Sequence, residues 1–295
     1  MTAPRGFVLV NALVLVAALA AVALWLLSRA ETGRIQTAEN LQAIQLELYL
    51  DAYENLAITL LDSDPGAVDH SSEAWARRDL ELDLDRGRVA GQIDDLAGRF
   101  NVNWLSNPED TNRRTAFMLL ATGLGVSVSS AETIIKTVTP GGNRPTNPKG
   151  GVPENPPGGP VLMVDQLPLS ARDLALLRPY IAALPGDSRL NVNTASAPVL
   201  SSLLPGTNPA ALNALLHDRQ AQPFTSVQAF IDAVVRRLGA ATAAEIDENI
   251  ISIGSAWFAV TVMAELDGQQ ATRRAVLRRL PLPAGAEVAY REDDW

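Results

Sequence analysis

The sequence predicts an α+β fold: a long N-terminal helix packed on a small antiparallel sheet, with a large all-α domain inserted between the strands. Three observations predict it. Residues 7–62 carry one continuous helical pattern, stretches near both 79–95 and 250–282 alternate with period two, and most of residues 107–245 between them reads as helix.

The helix begins in an apolar run. Phe7 to Leu27 is 21 residues, roughly 31 Å as a helix, which just spans a hydrocarbon core of about 30 Å. The run ends in Trp25-Leu26-Leu27-Ser28-Arg29, bulky where a signal peptidase needs small residues, and Trp25 suits a membrane interface. Asn11 is its one polar interruption. By length and pattern alone three readings stand: an uncleaved anchor, a signal peptide, and a segment cut just ahead of the apolar run.

The helical pattern continues past the apolar run. From Ala30 to Leu61 there is no proline, and Gly33 is the only glycine. Ile35, Ala38, Leu41, Ile44, Leu48, Tyr49, Ala52, Leu56 and Leu60 fall mostly three and four apart, predicting an amphipathic helix with one buried stripe. Asp62-Ser63-Asp64-Pro65-Gly66 ends it. Residues 7–27 are therefore the spanning part and 28–62 the amphipathic part of one element.

Strands follow. "DLELDLD" (79–85) alternates acid and leucine, as a strand with one buried face does. Arg86-Gly87-Arg88 reads as a turn and "VAGQIDD" as the return strand. The acids on alternate positions diverge on a solvated face, which fits that role better than a calcium site. "GRFNVNWLSNPED" (98–110) closes the region. At the other end, "IISIGSAWFAVTVMAEL" and "QATRRAVLRRLPL" flank Asp267-Gly268, a strong hairpin signal. Residues 63–106 and 246–295 are expected to complete one sheet, leaving 107–245 as the insertion.

Within the insertion, Asn107-Pro108-Glu109 is expected to open a helix. Further helices are expected near Ser170–Ala183, Ser196–Leu204, Pro209–Gln220 and Ser226–Leu238. Residues 139–160 are so rich in Pro, Gly and Asn that they read as a flexible loop.

Composition narrows the function. The absence of cysteine removes disulfides, thiolate metal sites and cysteine nucleophiles. His70 and His217 are the only histidines, too few for a histidine-built metal centre; His217-Asp218 reads as a polar pair on a helix surface. No G-x-S-x-G stretch marks a serine hydrolase. Of the net charge of −9, residues 31–105 carry 15 acids against 6 bases, while residues 107–246 are nearly balanced. Neither part offers the basic face of a nucleic-acid binder, and acids beside the anchor argue against docking on anionic lipid.

Residues 190–231, "LNVNTASAPVLSSLLPGTNPAALNALLHDRQAQPFTSVQAFI", resemble the helix-hairpin-helix unit of DNA-binding proteins, whose Leu-Pro-Gly turn offers backbone N–H groups to phosphate. Here no second glycine and no base follow the turn. Across residues 190–237 the basic residues are Arg219, Arg236 and Arg237, few for counterion release. The hairpin fold is expected and phosphate binding through it is not. A membrane-tethered DNA-binding or uptake protein remains the alternative.

Three stretches together carry a family resemblance: "RGFVLVNALVLVAALAAV", "GQIDDLAGRFNVNWL" and "LNVNTASAPVLSSLLPG". The chain resembles the K-type minor pseudopilins of the bacterial type II secretion system, the general secretion pathway protein K family, over nearly its whole length. The resemblance implies a pilin-like fold with a helix-hairpin-helix or SAM-like domain inserted in the sheet, and no catalytic role. It implies a leader of residues 1–6, removed by a prepilin peptidase between Gly6 and Phe7, and N-methylation of Phe7. Asn11 is then the fifth mature residue, where most pilins carry glutamate to pair with a neighbour's N-terminal amine. K-type subunits lack that glutamate, and a subunit at the filament tip has no neighbour above it. The implied partners are the I-type and J-type minor pseudopilins, the major pseudopilin, the prepilin peptidase and the inner-membrane secretion platform. The implied location is the inner membrane, single-pass, with the body in the periplasm. Some members bind calcium in the inserted domain, through ligands that do not carry over residue by residue.

Overall fold

The structure, a computed structural model, describes residues 5–64, 67–78, 80–141 and 158–294; for residues 5–8 and 292–294 the description is of the backbone alone. Residues 1–4 of the expected leader and most of the expected flexible loop, 142–157, lie outside it.

A single helix, α1 (Arg5–Ser63), runs for 59 residues, about 88 Å. Its last third packs on the sheet through Leu46, Leu50, Tyr53, Ala57 and Leu61, all buried. The spacings of three and four place them on one face. This corrects the expected stripe. Ile35, Leu41, Ile44 and Leu48, read from the sequence as buried, are 50–63 % exposed. The helix has two apolar faces, and the sheet covers only one.

Strands β1 (Leu80–Leu84) and β2 (Gly87–Asp95) form the expected hairpin. Its turn is Asp85-Arg86, because Leu84 pairs with Gly87. Gly87 serves the sheet instead: a Cβ there would lie 1.9 Å from the Glu265 carbonyl oxygen. Strand β3 (Phe100–Asn101) then leaves the sheet. Phe100, Val102, Trp104 and Leu105, expected with the sheet, bury their side chains in the helical core, where Phe100 meets Trp104 edge-on at 5.2 Å.

Helices α2 (Thr111–Gly123) and α3 (Val128–Val138) follow. Helix α2 starts two residues beyond the expected Asn107–Glu109 opening, because the Asp110 side chain caps it by accepting from the Arg113 N–H. Helix α4 (Ala171–Leu177) is shorter than expected. Pro179 has no N–H to continue it, and the chain passes into β4 (Ile181–Ala182), parallel to β3. Then come β5 (Leu190–Asn191), α5 (Ala197–Leu203), α6 (Pro209–Ala221), α7 (Val227–Leu238), α8 (Ala240–Ala244) and β6 (Ile251–Ser252), the last parallel to β5.

The chain returns to the first sheet with β7 (Trp257–Leu266), β8 (Gln269–Arg279) and β9 (Ala286–Asp294). The order is β1-β2-β7-β8-β9, all antiparallel, so strands from both ends of the chain complete one sheet around the insertion. Asp267 (φ 49°) and Gly268 (φ 83°) form the two-residue turn with the positive dihedrals that a twisted hairpin demands. Strand β9 was not expected: its charged residues hide a short alternation in which Val288 packs on the core.

Candidate assembly site

Helix α1 is exposed from Leu9 to Leu27 and is long and apolar enough to cross a membrane. Asn11 is exposed within it. Gly6 and Phe7 lie on the same helix by backbone, within about 8 Å of Asn11 along the axis; their side chains lie outside the description. Beyond the span, Leu41, Ile44 and Leu48 form an apolar surface that no described part of the chain covers. Neighbouring faces of this helix thus do different work, one holding its own sheet and one left open.

The acids of α1 are matched to arginines of the C-terminal strands. Arg273 on β8, 2 % exposed, donates to Glu47 (3.1 Å) and Asp51. Arg291 on β9 forks onto Glu54, and the Asp62 carboxylate accepts from the Ala286 N–H at 2.6 Å. Further toward the start of α1, the Gln42 side-chain amide donates to the Leu266 carbonyl at 2.9 Å. Much of the acidity of residues 31–105 is therefore spent fixing the rotation of the helix on the sheet.

Where sheet and helical body meet, a buried polar network lies beside a small apolar cluster of Leu96, Ala182, Leu184, Ala259 and Val276. Asp95, at the end of β2, accepts from the Ala97 N–H (2.7 Å), the Asn191 amide (3.0 Å), the Ser255 hydroxyl (2.6 Å) and the Thr194 hydroxyl. Among the described residues no arginine or lysine pairs with it, and burial pushes its carboxyl above the usual range. Asn191 also donates to the Asp69 carbonyl and the Ser255 hydroxyl. Gly98 lets the strands close in, since a Cβ there would lie 2.6 Å from the Thr194 hydroxyl oxygen.

These residues come from the stretches singled out in the sequence, but their roles were not read from it. The missed signal is a repeat, Asn-Val-Asn at 101–103 and at 191–193. In each copy the first asparagine accepts from the N–H of the second. The second clamps a distant backbone residue from both sides: Asn103 holds Val161, and Asn193 holds Phe224. Each copy opens with a short strand and closes with a parallel one, the first through α2, α3 and α4 and the second through α5, α6, α7 and α8.

Among the described residues, Asp64, Asp69 and Glu73 bring three carboxylates within 4.8 Å of one another. They do not fit a calcium ion. The Arg279 guanidinium already bonds Asp64 (2.9 Å) and Asp69, and one Glu73 oxygen accepts from the Trp75 indole (2.6 Å) and the His70 N–H. In the hairpin at residues 204–208, the Asn208 side chain accepts from the Ala210 N–H at the start of α6, where a phosphate would have to sit. Arg219 turns inward onto the Val192 and Ala195 carbonyls, and Arg237 pairs with Asp218.

Comparison with known proteins bears on what this arrangement is. Residues 190–250, spanning the second asparagine unit from β5 almost to β6, match the family model for type II secretion system protein K. Over these residues the chain is similar to the K-type minor pseudopilins of type II secretion. A protein K of Pseudomonas aeruginosa is 28 % identical over 225 residues, 68 % of each chain. A chain in the crystal structure of the GspK-GspI-GspJ complex from enterotoxigenic Escherichia coli shares the fold, with TM-score 0.72 and 18 % identity over 88 % of this chain and 99 % of that one. In this chain the long helix packs on the sheet, and the asparagine-clamped body joins the sheet through Asp95 and Asn191.

Proposed function

We propose that this chain caps the tip of a type II secretion pseudopilus and starts its assembly with I-type and J-type minor pseudopilins, supporting export of proteins across the outer membrane. The observation that carries the reading is the open apolar face of α1 at Leu41, Ile44 and Leu48, on the same helix as the spanning segment. Such a face buries itself against other long helices. Asn11 supports the tip position, because an uncharged amide there needs no amine from a subunit above, whereas an unpaired carboxylate in the membrane is costly. The body inserted between β2 and β7 adds bulk where a stacked subunit would sit.

On this reading, prepilin peptidase cuts between Gly6 and Phe7, α1 anchors the chain in the inner membrane, and the body stands in the periplasm. The role is structural rather than catalytic, and the major pseudopilin and the inner-membrane platform are further partners. Co-expression with the I-type and J-type subunits and affinity purification through this chain tests it. Recovery of a ternary complex is the expected result; isolation of this chain alone, from cells making all three, would overturn it.

A further inference from the structure

A cleft of about 630 Å³ opens between the end of the sheet and the helical body, lined by the Pro185–Arg189 loop, the Ser252–Trp257 segment and the Arg278–Pro281 end of β8. In a chain of net charge −9, it presents two exposed arginines, Arg189 and Arg278, with no carboxylate in ion-pair reach among the described residues. Asp187 in the same loop and Glu287, opposite Arg278 in the strand register, are the nearby acids, and neither pairs with them. Arg278 instead lies over the Trp257 ring, 5.5 Å from its centre. Stacking there holds the guanidinium plane and leaves its edge free to fork onto a carboxylate.

We propose that this cleft binds an acidic segment of a partner protein, with Arg189 and Arg278 as its two cationic contacts. The size suits several side chains rather than one ion. The position excludes lipid headgroups. Arg279, at the cleft, bonds Asp64, the residue after Ser63 at the end of α1, which is 36 residues beyond Leu27 and so about 54 Å from the spanning segment. That distance rests on the anchor reading of α1. Two arginines release too few counterions to hold a nucleic acid against the charge of the chain. A carboxylate-bearing polypeptide meets both conditions, and the membrane-distal end is where a tip subunit meets other proteins.

The test uses the full chain in neutral detergent at low salt, titrated with a fluorescently labelled peptide of alternating glutamate and glycine and read by anisotropy. Saturable binding is expected, weakened at least about tenfold in the Arg189→Ala/Arg278→Ala variant and absent for the same peptide with glutamine in place of glutamate. Inorganic phosphate at equal charge concentration should not displace the peptide. Both arginines are exposed, so the variant should keep the wild-type melting temperature, and the glutamine peptide tests the charge requirement without any variant. No binding by the wild type, equal binding by the variant or by the glutamine peptide, or full displacement by phosphate would each overturn the proposal. The ternary complex with I-type and J-type subunits is measured separately, so either reading can fail without the other.

Discussion

Asp95 accepts a hydrogen bond from the side-chain amide of Asn191 at 3.0 Å, and the two residues belong to different bodies of the fold. Asp95 ends a sheet strand and Asn191 opens the second asparagine unit. Their bond, with those from Ser255 and Thr194, registers the insertion against the sheet. Asp95→Ala would leave buried donors unpaired at roughly 1–3 kcal/mol each, so a loss of about 3 kcal/mol is expected in denaturant unfolding. Thr194→Val, which removes one donor, should cost about 1 kcal/mol. Combining Asp95→Ala with Asn191→Ala should cost clearly less than the sum of the two. Simple additivity would mean the network is not a unit.

The same network sets a pH dependence opposite in sign to ordinary acid denaturation. Burial raises the carboxyl of Asp95, and burial outweighs the Arg279 pairing to push Asp69 up to about 6. Folded-state values above the unfolded value mean that the native state holds protons the unfolded chain releases. Stability from these groups therefore rises as pH falls from about 7 toward about 4. The melting temperature should be higher near pH 5 than near pH 7.5, and the gain should shrink in Asp95→Asn. A flat or reversed profile would remove the carboxylates from the account.

Arg273 is almost fully buried, while its partners Glu47 and Asp51 are about half exposed. Removing either acid alone should cost at most about 1 kcal/mol, as for other half-solvated pairs. Removing both withdraws two carboxylates from a buried guanidinium, and the cost should exceed the sum of the single losses. A double-mutant cycle by chemical denaturation measures this directly.

On the open face of α1, Ile44→Asp and Leu48→Asp should leave the melting temperature within about 1 °C of wild type, because surface substitutions away from packed features change stability little. The same variants should lose the I-type and J-type subunits on purification. Loss of fold, or retained partners, would show that this face is not the assembly surface.

The sequence showed the architecture where periodicity was long and clean. The continuous helix, the two hairpins and helices α5 to α7 follow from their patterns. It misled where two signals overlapped. The apolar residues of α1 alone do not say which of two faces meets the sheet; the acids that bond Arg273 and Arg291 do, and those arginines lie more than 200 residues away in the chain. Gly87 looks like a turn residue, but what decides its role is the Glu265 carbonyl beside it. Strand β3 is two residues long and pairs with a strand 80 residues later, which no local pattern reports. The asparagine clamps were visible as a repeated tripeptide, yet their purpose depends on Val161 and Phe224, which only folding brings near.

The most direct test of the central claim is the mass of the N-terminal peptide from the full chain, produced with and without an active prepilin peptidase. Cleavage after Gly6 with N-methylation of Phe7, only when the peptidase is active, is the predicted result. An intact N-terminus under both conditions, or a cut beyond the apolar segment, would contradict it.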